Sequence, residues 1–182
     1  MDPLKIYDYL LLVRERIFNS VRSLSEALWL REFPIGLKSI GATLTHIMIS
    51  EWYYIERLQN RAVPHYNDWP IKYESPHTPP FTFIEPHWRE QGTRIRSVIA
   101  SEPDWPRTVT WLGFPDDTRN MKRFRISATA GDLFTQLALH ETHHRAQVMM
   151  MLRELGPHAQ PVEDVDYNAL MFERVEVTTP SS

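Results

Sequence analysis

The sequence predicts an all-α protein, a four-helix bundle with a small β-hairpin inserted before the last long helix. Three observations carry this. Four segments of about twenty residues repeat apolar side chains at the helical period. Strong breakers separate them: Phe33-Pro34-Ile35-Gly36, a proline-rich stretch over 61–80, and Gly156-Pro157. The last segment carries His140 and His144, and bundles build metal sites from such facing helices. The 182 residues are expected to form one domain over 1–182 with a sizeable core.

The elements follow in order. Asp2-Pro3 reads as an N-cap with proline at the first helical position, and Leu4 to about Leu24 has the helical apolar pattern. A second helix is expected over Leu37–Asn60. It is apolar on most of its circumference (Ile40, Leu44, Ile47, Trp52, Ile55, Leu58), the mark of a central helix. Residues 61–80 hold five of the fourteen prolines and read as an extended loop. Thr82-Phe83-Ile84-Glu85 has a capping-box pattern and opens a third helix to about Ala100. Thr108–Trp111 and Arg123–Ile126 read as two short strands, with Pro115-Asp116-Asp117 as the turn. The fourth helix begins between Thr129 and Asp132 and ends at Leu155, where Gly156-Pro157 stops it. A short last helix is expected over Tyr167–Arg174.

Composition narrows the function. Apolar residues are 42% and charged residues 24%, as in globular proteins. A net charge of −3 and a pI near 6.2 give no electrostatic case for nucleic acid or an anionic membrane. There is no cysteine, hence no disulfide, no thiolate ligand and no cysteine nucleophile. Met1-Asp2-Pro3-Leu4-Lys5 lacks the form of a signal peptide, and no run approaches the length of a membrane span. A cytoplasmic location is the default expectation.

Residues 140–145 read His-Glu-Thr-His-His-Arg. His140 and His144 are four apart, so their imidazoles leave one side of a helix about one turn apart. Two imidazoles at that spacing grip one divalent ion with one or two further ligands. At about 100° per residue, Leu133, Leu137, Val148, Met151 and Leu155 fall within about 20–80° of His140. His144 lies inside this buried stripe, and His143 points roughly 120° away from it. Core histidines held by hydrogen bonds are the plain alternative. Two on one apolar stripe favour a shared metal ion, which removes the cost of burying them unpaired.

Spacing leaves the third ligand open. His46 lies in the second helix, but the main apolar stripe of that helix is centred about 140° from it. His87, in the first turn of the third helix, is the reserve candidate. His65, His77 and His158 fall at loops or beyond a helix stop and read as surface. His140-Glu141-Thr142-His143-His144 also satisfies H-E-x-x-H, in which the glutamate is the general base of a metalloprotease. The metzincin extension fails at Gln147 and Met150, and Glu163 or Glu173 as a downstream ligand lies beyond the Gly-Pro break. Glu141 is expected to point into the apolar stripe.

Two segments resemble the DinB/YfiT-like superfamily. Leu44-Thr45-His46-Ile47-Met48-Ile49-Ser50-Glu51-Trp52 is similar to that family's second-helix segment. His140-Glu141-Thr142-His143-His144-Arg145-Ala146-Gln147 is similar to its His-x-x-x-His-Arg-Gly-Gln, with Ala146 in place of the glycine. The resemblance covers most of the chain and implies an up-down-down-up bundle, commonly a homodimer. It implies a metal triad of His46, His140 and His144, holding zinc or nickel, with iron or cobalt as further options. It also implies an activity: a thiol S-transferase using bacillithiol, mycothiol or glutathione against an electrophile. A hydrolase activating water, or a bundle stapled by a structural ion, are the alternatives. With no cysteine in the chain, any thiolate comes from a cosubstrate. Glu51, Arg145 and His143 are candidates for orienting the ligands or the cosubstrate.

Overall fold

A computed structural model of the chain describes residues 2–64, 68–69, 71–73, 77–113 and 124–173. Its elements are α1 (Pro3–Val21), α2 (Glu26–Trp29), α3 (Ile40–Leu58), α4 (Phe81–Ser101), β1 (Thr108–Leu112), β2 (Arg125–Thr129), α5 (Ala130–Leu155) and α6 (Tyr167–Met171). The four long helices form the bundle.

Local chemistry sets most helix ends. The Asp2 carboxylate accepts from the backbone N–H of Leu4 and Lys5, with Pro3 beginning α1. Ser39 caps α3 through the Ala42 N–H. Thr129 and Asp132 form a reciprocal capping box at α5. Gly156, at φ +54°, ends that helix.

Four expectations need correction. The second long helix starts at Ile40 rather than Leu37, because Gly36 and Lys38 take left-handed backbone at φ +51° and +71°. The capping box at Thr82–Glu85 does not form. The N-cap is Pro80 rather than Thr82, so α4 begins two residues earlier, at Phe81, and Glu85 pairs instead with Arg22 and Arg89. The second strand runs Arg125–Thr129, since it pairs antiparallel with β1 in the register Thr108↔Thr129 to Leu112↔Arg125. The last helix ends at Met171. The expected turn at Pro115-Asp116-Asp117 and the residue Arg174 lie outside the described residues.

Cross-helix pairs fix the helix directions. Asp8 meets Arg96, Glu15 meets Arg89 and Arg22 meets Glu85, so α1 and α4 are antiparallel. Gln91 donates to the Met48 carbonyl and Arg94 to Glu56, so α3 and α4 are parallel. His46 meets His140 while Tyr54 accepts from Gln136, so α3 and α5 are antiparallel. In chain order the long helices run up, down, down, up.

The interior has layers. One apolar cluster gathers Ile17, Phe18, Leu44, Trp88, Met151 and Leu155. A second gathers Leu10, Ile55, Ile95, Leu133, Phe134 and Leu137. Between them on α3, α4 and α5 come polar residues: Glu51, Gln91, and Glu141 with Arg145. On α1, Arg14 lies at the same boundary. The site lies at this level of the bundle. No described helix is long and apolar enough to cross a membrane.

Candidate metal centre

His46 lies in α3, and His140 and His144 lie one turn apart in α5. α3 is buried nearly all round, so the face carrying His46, away from its main apolar stripe, is free to meet α5. The three side chains converge. His46 Nε2 lies 3.0 Å from His140 Nε2. One ring nitrogen from each of the three falls within 4.8 Å of the others. Ring centroids are 4.5 Å apart for His140 and His144, 4.8 Å for His46 and His144, and 4.9 Å for His46 and His140.

Protonation favours ligation. Burial first, then the neighbouring imidazoles, pushes the pKa of His46 and of His140 down to about 4. Burial also lowers His144. All three are therefore neutral at pH 7, the form that binds a metal. Gln147 Oε1 lies 2.8 Å from His144 Nδ1, and an amide oxygen only accepts. Nδ1 of His144 thus carries the hydrogen and Nε2 keeps its lone pair. The buried Nδ1 of His46 has no hydrogen-bond partner, so its Nε2 is the nitrogen that meets the triad.

The donor set fits a divalent ion. The 3.0 Å contact is close to the edge of about 3.3 Å expected between nitrogens each about 2.0–2.1 Å from a tetrahedral zinc. Three nitrogens from two rigid helices, with no carboxylate or thiolate among them, suit zinc, nickel, iron or cobalt. The Tyr73 ring meets His46 edge-on at 4.8 Å, and Tyr54 stands 6.0 Å from His140. A cavity of about 390 Å³ lies on the far side of Tyr73; Glu32, Gly36, Lys38, Ser39 and Thr78 are among its lining residues, and none of the three histidines is.

The DinB family model matches residues 1–174. The chain belongs to the DinB family. No curated protein matches it. Within this DinB-family chain, the helix directions and the grouping of His46, His140 and His144 agree with what the resemblance of the two motifs implies.

The remaining histidines lie elsewhere. His143 is exposed and accepts from Gln147 Nε2 at 3.0 Å, so it touches the triad only through Gln147. His87 is exposed, stacks on Phe83 at 3.9 Å and bonds the Phe83 carbonyl, which removes it as the third ligand. His77 and His158 are exposed, and His65 lies outside the described residues.

Glu51 and Arg145, the other two candidates for orienting ligands, are both buried, and each bonds core groups. The Glu51 carboxylate accepts from Tyr7 at 2.7 Å, Arg14 at 2.6 Å, Trp88 at 2.7 Å and Gln91 at 2.8 Å. Arg145 donates to the Leu10 carbonyl and to Glu141. Glu141 also accepts from Arg14 at 3.0 Å and is only 1% exposed. Arg145 and Arg14 hold its carboxyl below the usual range against the effect of burial. A glutamate held there is no general base, and the metalloprotease reading of H-E-x-x-H lapses.

Two neighbours of the site were missed in the sequence. Tyr73 sits in the proline-rich loop with no local signal. Gln147 had one: three residues beyond His144, it shares a helix face with it.

Proposed function

We propose that this chain is a metal-dependent transferase whose cosubstrate is a low-molecular-weight thiol of the bacillithiol, mycothiol or glutathione type. His46, His140 and His144 hold one divalent ion, zinc or nickel. The observation that carries this reading is the convergence of three neutral imidazoles, with Tyr73 standing between His46 and a cavity of about 390 Å³. Three protein ligands leave a coordination position open, as in catalytic sites. A bound ion supplies Lewis acidity, which lowers the pKa of a thiol or water.

The chain's own groups do the rest. It has no cysteine, so the sulfur nucleophile arrives with the cosubstrate. Tyr73 and Tyr54 wall the triad and limit access of bulk water. Lys38 lines the cavity together with Glu32, the cation suited to a carboxylate and the anion to the amine of an acidic thiol. In the reaction the thiol gives its proton to water and the thiolate electron pair forms a sulfur–carbon bond; a halide leaves with its electron pair, or the pair passes to the oxygen of an opening epoxide or to the carbon of an activated alkene and takes a proton from water. A cavity reached from the triad across Tyr73 favours this over a purely structural ion. The homodimer common in the family draws support from α5, where Leu139 and Met150 are 64% and 50% exposed.

The test is conjugate formation. Zinc- or nickel-loaded protein is given each thiol with an alkyl halide, an epoxide or an activated alkene, and the products are read by mass spectrometry. The expected result is an S-conjugate above the protein-free rate, lost in His46→Ala and His144→Ala. Ester or lactone hydrolysis without conjugate would replace the transferase with a hydrolase. A metal-loaded protein inactive in both assays would leave a stapled bundle.

A further inference from the structure

The loop before α3 reaches the triad at one point. Gly36 is left-handed, at φ +51°, and packs directly on the side chain of Gln147. A β-carbon at Gly36 would overlap Gln147 Oε1 and lie 2.7 Å from its Cδ, closer than real side chains approach. That Oε1 is the atom that accepts from His144 Nδ1. The opposite end of the same amide donates to His143 Nε2. Gln147 is therefore held at both ends, and its position depends on the bare backbone of Gly36.

We propose that Gly36 and Gln147 are positioning residues that fix the tautomer and ring orientation of His144, so that its Nε2 faces His46 and His140. The proposal rests on the reading of the triad as a metal site. A ligating histidine needs its second nitrogen held by an acceptor, and loss of such a partner typically weakens metal binding by about 10–100-fold. Here the acceptor comes from the same helix, and a loop about 110 residues earlier in the chain sets its rotamer. Glycine at 36 answers two demands at once: the positive φ and the room for the amide.

The test combines metal affinity with the tautomer of His144 in metal-free protein, read from ¹⁵N shifts of the ring. Zinc titrations compare the native chain with Gly36→Ala, Gln147→Ala, Gln147→Glu and the double variant Gly36→Ala/Gln147→Ala. Gly156→Ala is the control, because Gly156 has nearly the same φ, +54°, but nothing within 4 Å of an added β-carbon. The account expects Gly36→Ala and Gln147→Ala each to weaken zinc binding by about 10–100-fold. Gln147→Glu, which keeps an acceptor oxygen, should stay near native. The double variant should be no weaker than Gln147→Ala, since Gly36 acts through Gln147. Gly156→Ala should bind zinc as the native chain does.

In metal-free native protein His144 should carry its hydrogen on Nδ1, and both single alanine variants should lose that preference. Native-like zinc affinity and an unchanged His144 tautomer in Gly36→Ala and Gln147→Ala would overturn the proposal. An equal loss of affinity in Gly156→Ala would overturn it too, by tracing the effect to backbone strain. If the native chain took up no zinc, the metal reading would fail. The tautomer shifts would still decide the clamp.

Discussion

The middle of the bundle holds two polar clusters that share a helix but solve burial in opposite ways. Glu141 and Arg145 face the bundle axis and join Arg14 and Glu51 in a charge-paired network. His140 and His144, each one residue earlier, face α3 and meet His46. One step along a helix turns a side chain by about 100°, enough to separate the two clusters. In the first, opposite charges pair, and Tyr7, Trp88 and Gln91 also donate to Glu51, although Arg14 Nε and Nη1 and Glu141 Oε2 have no hydrogen-bond partner among the described residues. In the second, three imidazoles held neutral by burial converge with no charged partner, and His46 and His140 share one Nε2–Nε2 contact. A buried cluster whose opposite charges pair is architecture. One in which like groups converge with no counter-charge is a place for a ligand.

A large effect is expected in the charge-paired network. Arg14→Met removes one cation from between two carboxylates and should cost about 3–5 kcal/mol of stability. Urea unfolding of the metal-free chain measures it. A loss under 1 kcal/mol would mean that the two ion pairs contribute less than their geometry indicates. Next comes the response to metal. Zinc or nickel in about 100-fold excess over its Kd should stabilise the native chain by about 2.7 kcal/mol. His46→Ala should show no such gain in a thermal melt, while Arg14→Met, where folded, should keep it.

A third effect is the pH response of the metal-free chain. Unfolded histidines titrate near 6.5, and folded His46 and His140 near 4. Between these values the unfolded state binds the more protons, so stability falls as pH drops from 6.5 toward 4. His46→Ala/His140→Ala should flatten that slope in denaturant midpoints taken across the window. An unchanged slope would place the acid sensitivity elsewhere in the chain.

Much of this contrast was legible before the structure. The periodicity of α1 and α5 was clear because each has one apolar face. The pair His140 and His144 followed from i, i+4 spacing alone. His46 did not: α3 is buried nearly all round, so its phase is uninformative, and only the family motif pointed to it. The charge-paired network leaves little local trace. Arg14, Glu51 and Glu141 stand 37 to 127 residues apart, and helical phase turns Glu141 into the apolar stripe without naming its partners. Glu51 and Arg145 read in sequence as candidates for orienting ligands; in the fold both bond core groups. The start of α4 misled for a related reason. Thr82 and Glu85 have cap spacing, but tertiary pairing draws Glu85 to Arg22. The bend before α3 showed as a break, yet its function did not, because the contact of Gly36 with Gln147 exists only in the fold.

The most direct measurement is the metal content of the purified chain by mass spectrometry, beside His46→Ala, His144→Ala and Glu51→Gln. The account predicts about one divalent ion per native chain. It predicts loss of that ion in both histidine variants and retention in folded Glu51→Gln. Retention in His46→Ala, or no uptake by the native chain when zinc or nickel is added, would contradict it.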